Sequence, residues 1–142
     1  MADTQKILFL CTGNACRSQM AESWTNHLRG DHFEAHSAGT IAKGLDPRAV
    51  RAMAEAGIDI SKNRSKTMDD LPPVTWDLVI TLCGDAHENC PFFPGPTKVM
   101  HRGFDDPPRL AEGAVDEEEA LGHYRRVRDE IKDFVMTLDE EV

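Results

Sequence analysis

Cys11 and Arg17, separated by five residues, are the side chains of this sequence whose types and spacing most clearly suggest chemistry. They bound a loop that directly follows the apolar run Ile7-Leu8-Phe9-Leu10, at a predicted strand-to-helix turn. A loop of this length can curl so that its backbone N–H groups point inward, and the N-terminus of the following helix adds donors for a tetrahedral oxyanion. Arg17 can bind two oxygens of that anion, while Cys11 lies beneath its central atom as a thiolate nucleophile. The residues predicted to bind the oxyanion are Thr12, Gly13, Asn14, Ala15, Cys16, Arg17 and Ser18.

The same stretch has a simpler interpretation, a buried cysteine at the end of a strand followed by an ordinary glycine-containing turn. We favour the anion loop because strand, cysteine, Gly13, arginine and the helix-starting Ser18 occur in the order that the chemistry needs. Cys16 is interpreted differently, as a small buried filler or a bystander thiol.

A second candidate lies in the segment Gly103–Pro108, where a carboxyl group could protonate a leaving oxygen above the anion. Asp106 is the stronger candidate, because the residue before a proline is held in an extended conformation that helps to aim its side chain. Asp105 is predicted to cap the turn. From spacing alone, a solvated turn explains both residues equally well.

Two further cysteines follow the strand predicted over Asp77–Leu82. Cys83 comes directly after it, so if this strand lies beside the first one, the Cys83 thiol reaches the same sheet edge as Cys11 and can meet an adduct formed there. Cys90 is seven residues further on and comes within reach of Cys83 if the segment between them rearranges into a compact loop. The alternative is that both cysteines only pack, but the polar residues between them predict an exposed segment, where an idle thiol is a liability. The pattern favours redox chemistry.

Alternating strands and helices are predicted to position these residues. The strands are Lys6–Leu10, Phe33–Ser37, Asp77–Leu82 and Thr97–Met100, and the helices are Ser18–Arg29, a segment from Asp46 to near Gly57, and Asp116–Leu138. This order predicts an α/β fold, a single-domain doubly wound sheet of four parallel strands flanked by helices on both faces. In such sheets ligands bind beyond the carboxyl ends of the strands, where the loop after Leu10 falls.

Two of the predicted helices have a recognisable inward face. The first should bury Met20, Ala21, Trp24 and Leu28, and the last carries a stripe of Leu121, Tyr124, Val127, Ile131, Val135 and Leu138. The acidic cluster Asp116–Glu119 falls at the N-terminus of the last helix, where negative charge is favourable, so it is interpreted as structural.

Composition limits the class of partner. The 142 residues, 40% of them hydrophobic, suit a single domain over 1–142, and a formal net charge of −9 without a basic stripe argues against nucleic acid. Because the sequence starts without a basic leader and its first apolar run is short, we expect a cytoplasmic protein and no membrane partner. We also expect a monomer. Four cysteines in this setting favour redox or metal chemistry over a disulfide framework, but their spacings are not those of a zinc knuckle. We therefore expect no metal site; the family resemblance described next implies that no organic cofactor takes part either.

Seven segments together carry a family resemblance. They are Cys11–Glu22, Ser37–Gly39, Asp59–Ser61, Thr81–Asp85, Asn89–Pro91, Gly103–Pro107 and Arg126–Ile131. Through them the chain resembles the thioredoxin-coupled arsenate reductases, the arsenate-reducing branch of the low-molecular-weight phosphotyrosine phosphatase fold. The anion loop alone indicates only the superfamily, whereas Cys83 and Cys90 point to the reductase branch.

The resemblance implies how the substrate is attacked. Cys11 attacks arsenate held by the loop amides and Arg17, Asp106 protonates the departing oxygen, and Ser18 and Asn14 hold the thiolate and the loop in shape.

The resemblance also implies how the arsenic is reduced. Cys83 attacks the Cys11 sulfur and expels arsenite, leaving a disulfide between them. Cys90 then attacks Cys83, and thioredoxin reduces the resulting Cys83–Cys90 disulfide.

The sequence departs from the family at a cation site, since several members bind potassium beside the catalytic loop. Asn14, Glu22 and Ser37 match the expected ligands, but Arg64 and Lys66 stand where a threonine and an aspartate are expected. We expect Arg64 or Lys66 to replace the ion by pairing with Glu22. The alternative is that both are ordinary surface cations.

Two other functions stay open at this point. A low-molecular-weight protein-tyrosine phosphatase shares the loop, but it needs an aromatic wall for the phosphotyrosine ring, and here Asp106 is followed by two prolines and the only tyrosine is Tyr124. An anion-binding thiol sensor needs the cysteines but no aspartate above the anion, so the change Asp106→Ala separates it from either enzyme.

Overall fold

Four parallel β-strands and four α-helices make up the part of the chain that the computed structural model describes, residues 4–83 and 97–138. The strands are β1 (Gln5–Cys11), β2 (Phe33–Gly39), β3 (Leu78–Cys83) and β4 (Val99–Phe104). The helices are α1 (Arg17–Arg29), α2 (Pro47–Glu55), α3 (Pro107–Ala111) and α4 (Glu117–Val135), and a short 3₁₀ turn covers Met68–Asp70. None of these helices is long and apolar enough to cross a membrane.

The order of the strands across the sheet, β2-β1-β3-β4, places the reversal of chain direction between β1 and β3. The chain leaves β1 for β2 on one side and returns to β3 on the other, so the loops that follow the two central strands diverge and leave a crevice at the carboxyl edge. Cys11 ends β1 at this crevice, paired in register with Gly39 of β2. The predicted fold class, a parallel four-stranded sheet flanked by helices, is confirmed.

The two faces of the sheet have different coverings, because alternate side chains of each strand point to opposite faces. Ile7, Phe9 and Ile80 belong to the larger buried cluster, to which all four helices contribute. Leu8, Leu10 and Val79 belong to a smaller cluster. Among the described residues, that second face is covered by the segment before β3, through Trp76, Met68, Leu71 and Val74, rather than by an α-helix, which differs from the expected helices on both faces.

Three elements in the carboxyl half of the chain differ from the sequence prediction by more than one residue. The fourth strand is Val99–Phe104 rather than Thr97–Met100, because an edge strand has a solvent side on which polar residues are tolerated, and its His101 and Arg102 are exposed. The helix α3 was not predicted; its two prolines occupy the first turn, where a missing N–H costs nothing. The helix α4 ends at Val135 rather than Leu138, although Leu138 is buried as expected.

The inward face of α1 differs from the prediction at one residue. Met20, Ala21 and Trp24 are buried, but Leu28 is 37% exposed and Arg29 is buried in its place. The Arg29 guanidinium donates to the carbonyl oxygens of Val135 and Met136, at 3.1 and 3.0 Å. These carbonyls lie at the end of α4, where a cation is favourable, so the buried charge is paired.

Candidate active site

The carbonyl groups of the loop between β1 and α1 point away from its centre. Those of Thr12, Gly13 and Ala15 accept hydrogen bonds from the backbone N–H groups of Ile41, Lys43 and Asp46, at 3.2, 3.0 and 3.1 Å. A trans peptide directs its N–H opposite to its C=O, and the described residues contain no cis peptide. The N–H groups that follow these carbonyls therefore point to the inside of the loop, the arrangement that an oxyanion needs.

Asn14 holds the loop in this shape. It is fully buried and has a φ of 49°, a left-handed conformation that asparagine tolerates better than most residues. Its Nδ2 donates to Ser18 Oγ and Ser37 Oγ, at 2.8 and 2.9 Å, and its Oδ1 accepts from Gln19 Nε2 and from the Lys66 N–H. Every hydrogen-bonding direction of the amide is thus used within the protein.

Cys11 lies at the floor of the loop with its sulfur 2.9 Å from Ser18 Oγ. Because Ser18 Oγ already accepts a hydrogen bond from Asn14, its own proton is available to donate to the sulfur. The side chain of Cys11 is buried, at 3% exposure, and lines the pocket that the loop encloses. The Ser18 hydroxyl is thus a hydrogen-bond donor directed at the sulfur, which is the kind of partner that the predicted nucleophile needs.

Arg17 connects the loop to the carboxyl ends of β3 and β4. Its Nη1 donates to the carbonyl oxygens of Phe104 and Leu82, at 3.0 and 3.4 Å, and its Nη2 lies 3.6 Å from Asp106 Oδ1. The residue is 3% exposed, so a rigid fork of donors is held at the pocket by backbone contacts.

Cys16, the second thiol of the loop, has a different electrostatic environment. Complete burial raises its pKa well above the usual 9.0, and the negative charges of Asp46 and of a Cys11 thiolate raise it further. Cys16 therefore stays a neutral thiol, in agreement with its interpretation as a small buried filler.

The loop opens into a pocket of about 270 Å³. It is lined by Cys11, Thr12, Gly13, Ala15, Cys16 and Arg17 from the loop, and by Lys43, Asp46, Asp106 and Pro108 from outside it. Asn14 and Ser18 do not line the pocket but are buried behind it. The volume is just below the ~300 to 1,000 Å³ of sites for drug-sized ligands, which suits a small anion.

Lys43 and Asp46 line the pocket without having been singled out from the sequence. Asp46 was predicted only to begin a helix, and it does so, accepting from the Arg48 N–H at 2.9 Å. Its other oxygen accepts a hydrogen bond from the Tyr124 hydroxyl. Burial, and to a smaller extent this hydrogen bond, raise the pKa of Tyr124. Asp46 therefore caps α2 and holds Tyr124 of α4, and both of its oxygens are used for this rather than for protonating a substrate.

Gly39 is a further residue whose role only the structure explains. A Cβ added there would lie 2.7 Å from the Thr12 carbonyl oxygen and 2.8 Å from the Asn14 nitrogen. Since both are backbone atoms, a larger residue would displace the loop. The sequence signal was its place at the end of a predicted strand, which does not reveal the close approach.

The two aspartates of the predicted turn, Asp105 and Asp106, have different partners. Asp105 was predicted to cap the turn, and this is wrong; it is exposed and pairs with Arg126 of α4 at 2.9 Å. Asp106 instead precedes α3 in the N-cap position, extended as its proline neighbour requires. Its carboxyl group is 29% exposed and lines the pocket beside Arg17.

Cys83 is the last residue of β3 rather than the first residue after it. Because β1 and β3 are parallel neighbours, Cys11 and Cys83 both end at the carboxyl edge of the sheet. Cys83 is buried and is not part of the pocket lining. A register irregularity between Thr81 and Cys83 interrupts the strand alternation there. Cys90 lies outside the described residues.

The expected pairing of a cation with Glu22 is confirmed for Lys66. Its Nζ lies 3.7 Å from Glu22 Oε1 and donates to the Arg64 carbonyl oxygen at 3.1 Å, whereas the Arg64 side chain is exposed. The residues beside Glu22 therefore do not fit a potassium ion, because an ammonium group of the chain already stands next to the carboxylate.

The fold and the loop define a class of protein. A family model described as low molecular weight phosphotyrosine protein phosphatase matches residues 6–142, and the chain belongs to this family.

Within the family the chain is similar to arsenate reductases. That of Bacillus licheniformis is 52% identical over 134 residues, which cover 94% of each chain. That of Bacillus subtilis is 52% identical over 135 residues, covering 92% of this chain and 95% of the relative. A solved arsenate reductase in the phosphate binding state has a TM-score of 0.77 at 28% identity, covering 98% of this chain and 99% of that one. The resemblance drawn from the sequence is confirmed.

Proposed function

We propose that this chain reduces arsenate to arsenite with Cys11 as nucleophile, and is regenerated through Cys83 and Cys90 with thioredoxin as the reductant. The observation that carries the proposal is the position of Arg17. Its guanidinium lines the anion pocket and also binds the carbonyl of Leu82, the residue bonded to Cys83. The same side chain thus connects the oxyanion site to the end of the strand that carries Cys83.

The first step is a displacement at arsenic. The Cys11 thiolate attacks arsenate bound by the loop N–H groups and Arg17, an S–As bond forms, and one As–O bond breaks. Asp106, at the pocket beside Arg17, supplies the proton with which that oxygen leaves as water. Ser18 and Asn14 keep the sulfur and the loop in place.

The second step moves two electrons to arsenic. The Cys83 thiolate attacks the Cys11 sulfur, the electron pair of the S–As bond stays on arsenic, and arsenite leaves. Cys90 then attacks Cys83, which releases the Cys11 thiolate and leaves a Cys83–Cys90 disulfide. Thioredoxin supplies two thiols that reduce this disulfide. No metal or organic cofactor takes part in the scheme.

The relay also explains how the enzyme distinguishes arsenate from phosphate. Arsenate and phosphate have nearly the same shape and charge, so the pocket binds both. Only arsenic accepts the electron pair, so phosphate stops at the first step. A slow hydrolysis of aryl phosphates is expected as a side activity.

The protein-tyrosine phosphatase alternative is not favoured by the pocket. None of its described lining residues is aromatic, so the lining offers no flat surface for a phosphotyrosine ring. The relatives named above are arsenate reductases.

The proposal is tested by a disulfide map after one turnover with arsenate. The purified protein is reduced, freed of reductant, mixed with one equivalent of arsenate, quenched with an alkylating reagent and analysed by peptide mass. We expect one arsenite per chain and a Cys83–Cys90 disulfide, with Cys11 and Cys16 alkylated.

Two variants complete this test. Cys83→Ser should form the arsenic adduct on Cys11 and hydrolyse an aryl phosphate slowly, but release no arsenite. Cys16→Ala is the matched control, because it removes a thiol from the same loop and should leave the map unchanged. Thioredoxin-driven turnover by Cys83→Ser would overturn the relay.

A further inference from the structure

Lys66 stands behind the anion loop, outside the pocket, with its side chain turned to the interior. Its ammonium group and the carboxylate of Glu22 are 17% and 15% exposed. We infer that this ammonium is a built-in counter-ion that positions the catalytic loop through Glu22 and makes it independent of any bound monovalent cation. Lys66 is thus a positioning residue that acts through other side chains.

The carboxylate of Glu22 is where the ammonium exerts its effect. Glu22 Oε1 lies 3.7 Å from Lys66 Nζ and accepts a hydrogen bond from Ser37 Oγ at 2.9 Å. A carboxylate with so little access to water needs a positive partner, and removing that partner leaves an uncompensated charge. The ammonium is the positive partner of the carboxylate that accepts from Ser37.

A continuous chain of hydrogen bonds leads from Glu22 to the nucleophile. Ser37 donates to Glu22, so its oxygen is free to accept from Asn14 Nδ2, at 2.9 Å. The same nitrogen donates to Ser18 Oγ, which lies 2.9 Å from Cys11 Sγ. The direction of each bond fixes the next, because the Asn14 amide can only donate through its nitrogen.

The backbone of Lys66 reaches the same asparagine from the other side. Its N–H donates to Asn14 Oδ1 at 2.7 Å, which fixes the orientation of the amide. This contact does not depend on the side chain and persists in any non-proline substitution. A change of the Lys66 side chain therefore removes the ammonium while leaving the backbone anchor in place.

The position of the ammonium also decides what happens to solvent cations. Lys66 Nζ donates to the Arg64 carbonyl, so it occupies the space between that oxygen and Glu22. A potassium ion there would meet a positive charge at contact distance instead of a second carboxylate, which is unfavourable. The counter-ion of Glu22 is therefore tethered to the chain rather than taken from solution.

The test compares three variants in different salts. Lys66→Met removes the charge but keeps an unbranched side chain, Lys66→Arg keeps the charge, and Lys62→Met is the control because Lys62 is an exposed lysine of the same segment. Each is assayed for arsenate turnover and for the rate of Cys11 alkylation, in potassium chloride and in choline chloride at equal ionic strength. Alkylation does not require arsenate chemistry, so this inference and the proposed function can fail separately.

We expect the unchanged protein and Lys62→Met to react at the same rate in both salts. Lys66→Met should lose about tenfold in kcat in choline chloride, the scale of breaking a partly buried ion pair, with KM for arsenate changed by less than about twofold. Potassium should restore part of that loss, since the space and the carboxylate are then available to an ion. Lys66→Arg should stay within about threefold of the unchanged protein.

A double variant distinguishes the loss of the ion pair from a simple folding defect. In Glu22→Gln the amide oxygen still accepts from Ser37, and the carboxylate charge is gone, so adding Lys66→Met should cost nothing further. The inference is overturned if potassium stimulates the unchanged protein several-fold, or if Lys66→Met behaves like Lys62→Met in both salts. It is equally overturned if Lys66→Met and Lys66→Arg lose the same activity irrespective of salt.

Discussion

The anion loop and the surface between α2 and α4 both depend on arginines and carboxylates, yet they use them in opposite ways. On the surface, Arg48 pairs with Glu117 at 3.0 Å and Arg125 pairs with Glu55 at 2.7 Å, all of them in contact with water. At the loop, Arg17 is 3% exposed and donates to backbone carbonyls at the ends of two strands.

This contrast shows that the surroundings of a charged group decide how much the group contributes. Water screens the surface pairs, so each contributes little to stability even where its geometry is good. At the loop, the backbone and side-chain dipoles are fixed before substrate binds and need no rearrangement when negative charge arrives. Four substitutions test this contrast.

Arg17→Lys should have the largest effect, although it keeps the charge. A lysine ammonium cannot bind two anion oxygens while holding the Leu82 and Phe104 carbonyls. We expect kcat/KM for arsenate to fall about 100-fold, the scale of losing one preorganised donor at an oxyanion site. Steady-state kinetics with thioredoxin and its reductase measure it. A fall below threefold would show that charge alone suffices there.

Ser18→Ala should have an intermediate effect. It removes the hydroxyl 2.9 Å from the Cys11 sulfur and leaves one Asn14 N–H without its acceptor. A hydrogen bond to a charged group is worth about 1.5 to 3 kcal/mol, so we expect Cys11 alkylation at neutral pH to slow at least about tenfold. Peptide mass analysis of the alkylated Cys11 follows the rate. An unchanged rate would mean that the loop amides alone stabilise the thiolate.

Cys16→Ala should have a small effect despite its position in the loop. Because burial and nearby negative charge raise the pKa of Cys16, its thiol is neutral at physiological pH and supplies no nucleophile. We expect arsenate turnover within about twofold of the unchanged protein, with a slight loss of stability from the small cavity. Turnover assays and thermal unfolding check both, and loss of turnover would assign Cys16 a chemical role.

Arg125→Gln should change activity and stability least. Its hydrogen bond lowers the pKa of Glu55 below the usual 4.5, so any stabilisation from this pair is present above that pH and is lost as the pH falls through the lowered value. At pH 7 we expect no measurable shift in the unfolding midpoint in 0.15 M salt, because both groups are solvated. Calorimetry at pH 7 and pH 3 provides the comparison, and a large shift at pH 7 would contradict it.

Local and non-local features differed in how well the sequence predicted them. The anion loop was predictable because its residues are contiguous, and so was the inward stripe of α4, because its apolar spacing repeats with the helix. The edge strand β4 and the short helix α3 were misjudged, since neither has an apolar period of its own. Leu28 was expected on the inward face of α1, but Arg29 is buried there instead, because its guanidinium finds carbonyl partners at the end of α4.

The site shows the same division. The sequence marked Cys11, Arg17 and Asp106, and through a resemblance it also pointed to Lys66 or Arg64 beside Glu22. It did not indicate that Gly39 must be small for the loop to approach β2, or that Asp46 lines the pocket. Those facts depend on distances between segments that are far apart in the chain.

The sequence alone predicted the order of the four strands and of the three longer helices, the position of the anion loop and the four thiols of the chain. It did so because hydrophobic period, turn chemistry and residue type act over neighbouring positions. Three further points became known only from the folded structure: which backbone carbonyls hold Arg17, which thiol of the loop is kept neutral, and which cation stands beside Glu22. Burial and partner geometry settle those points, and both arise only when distant segments pack together.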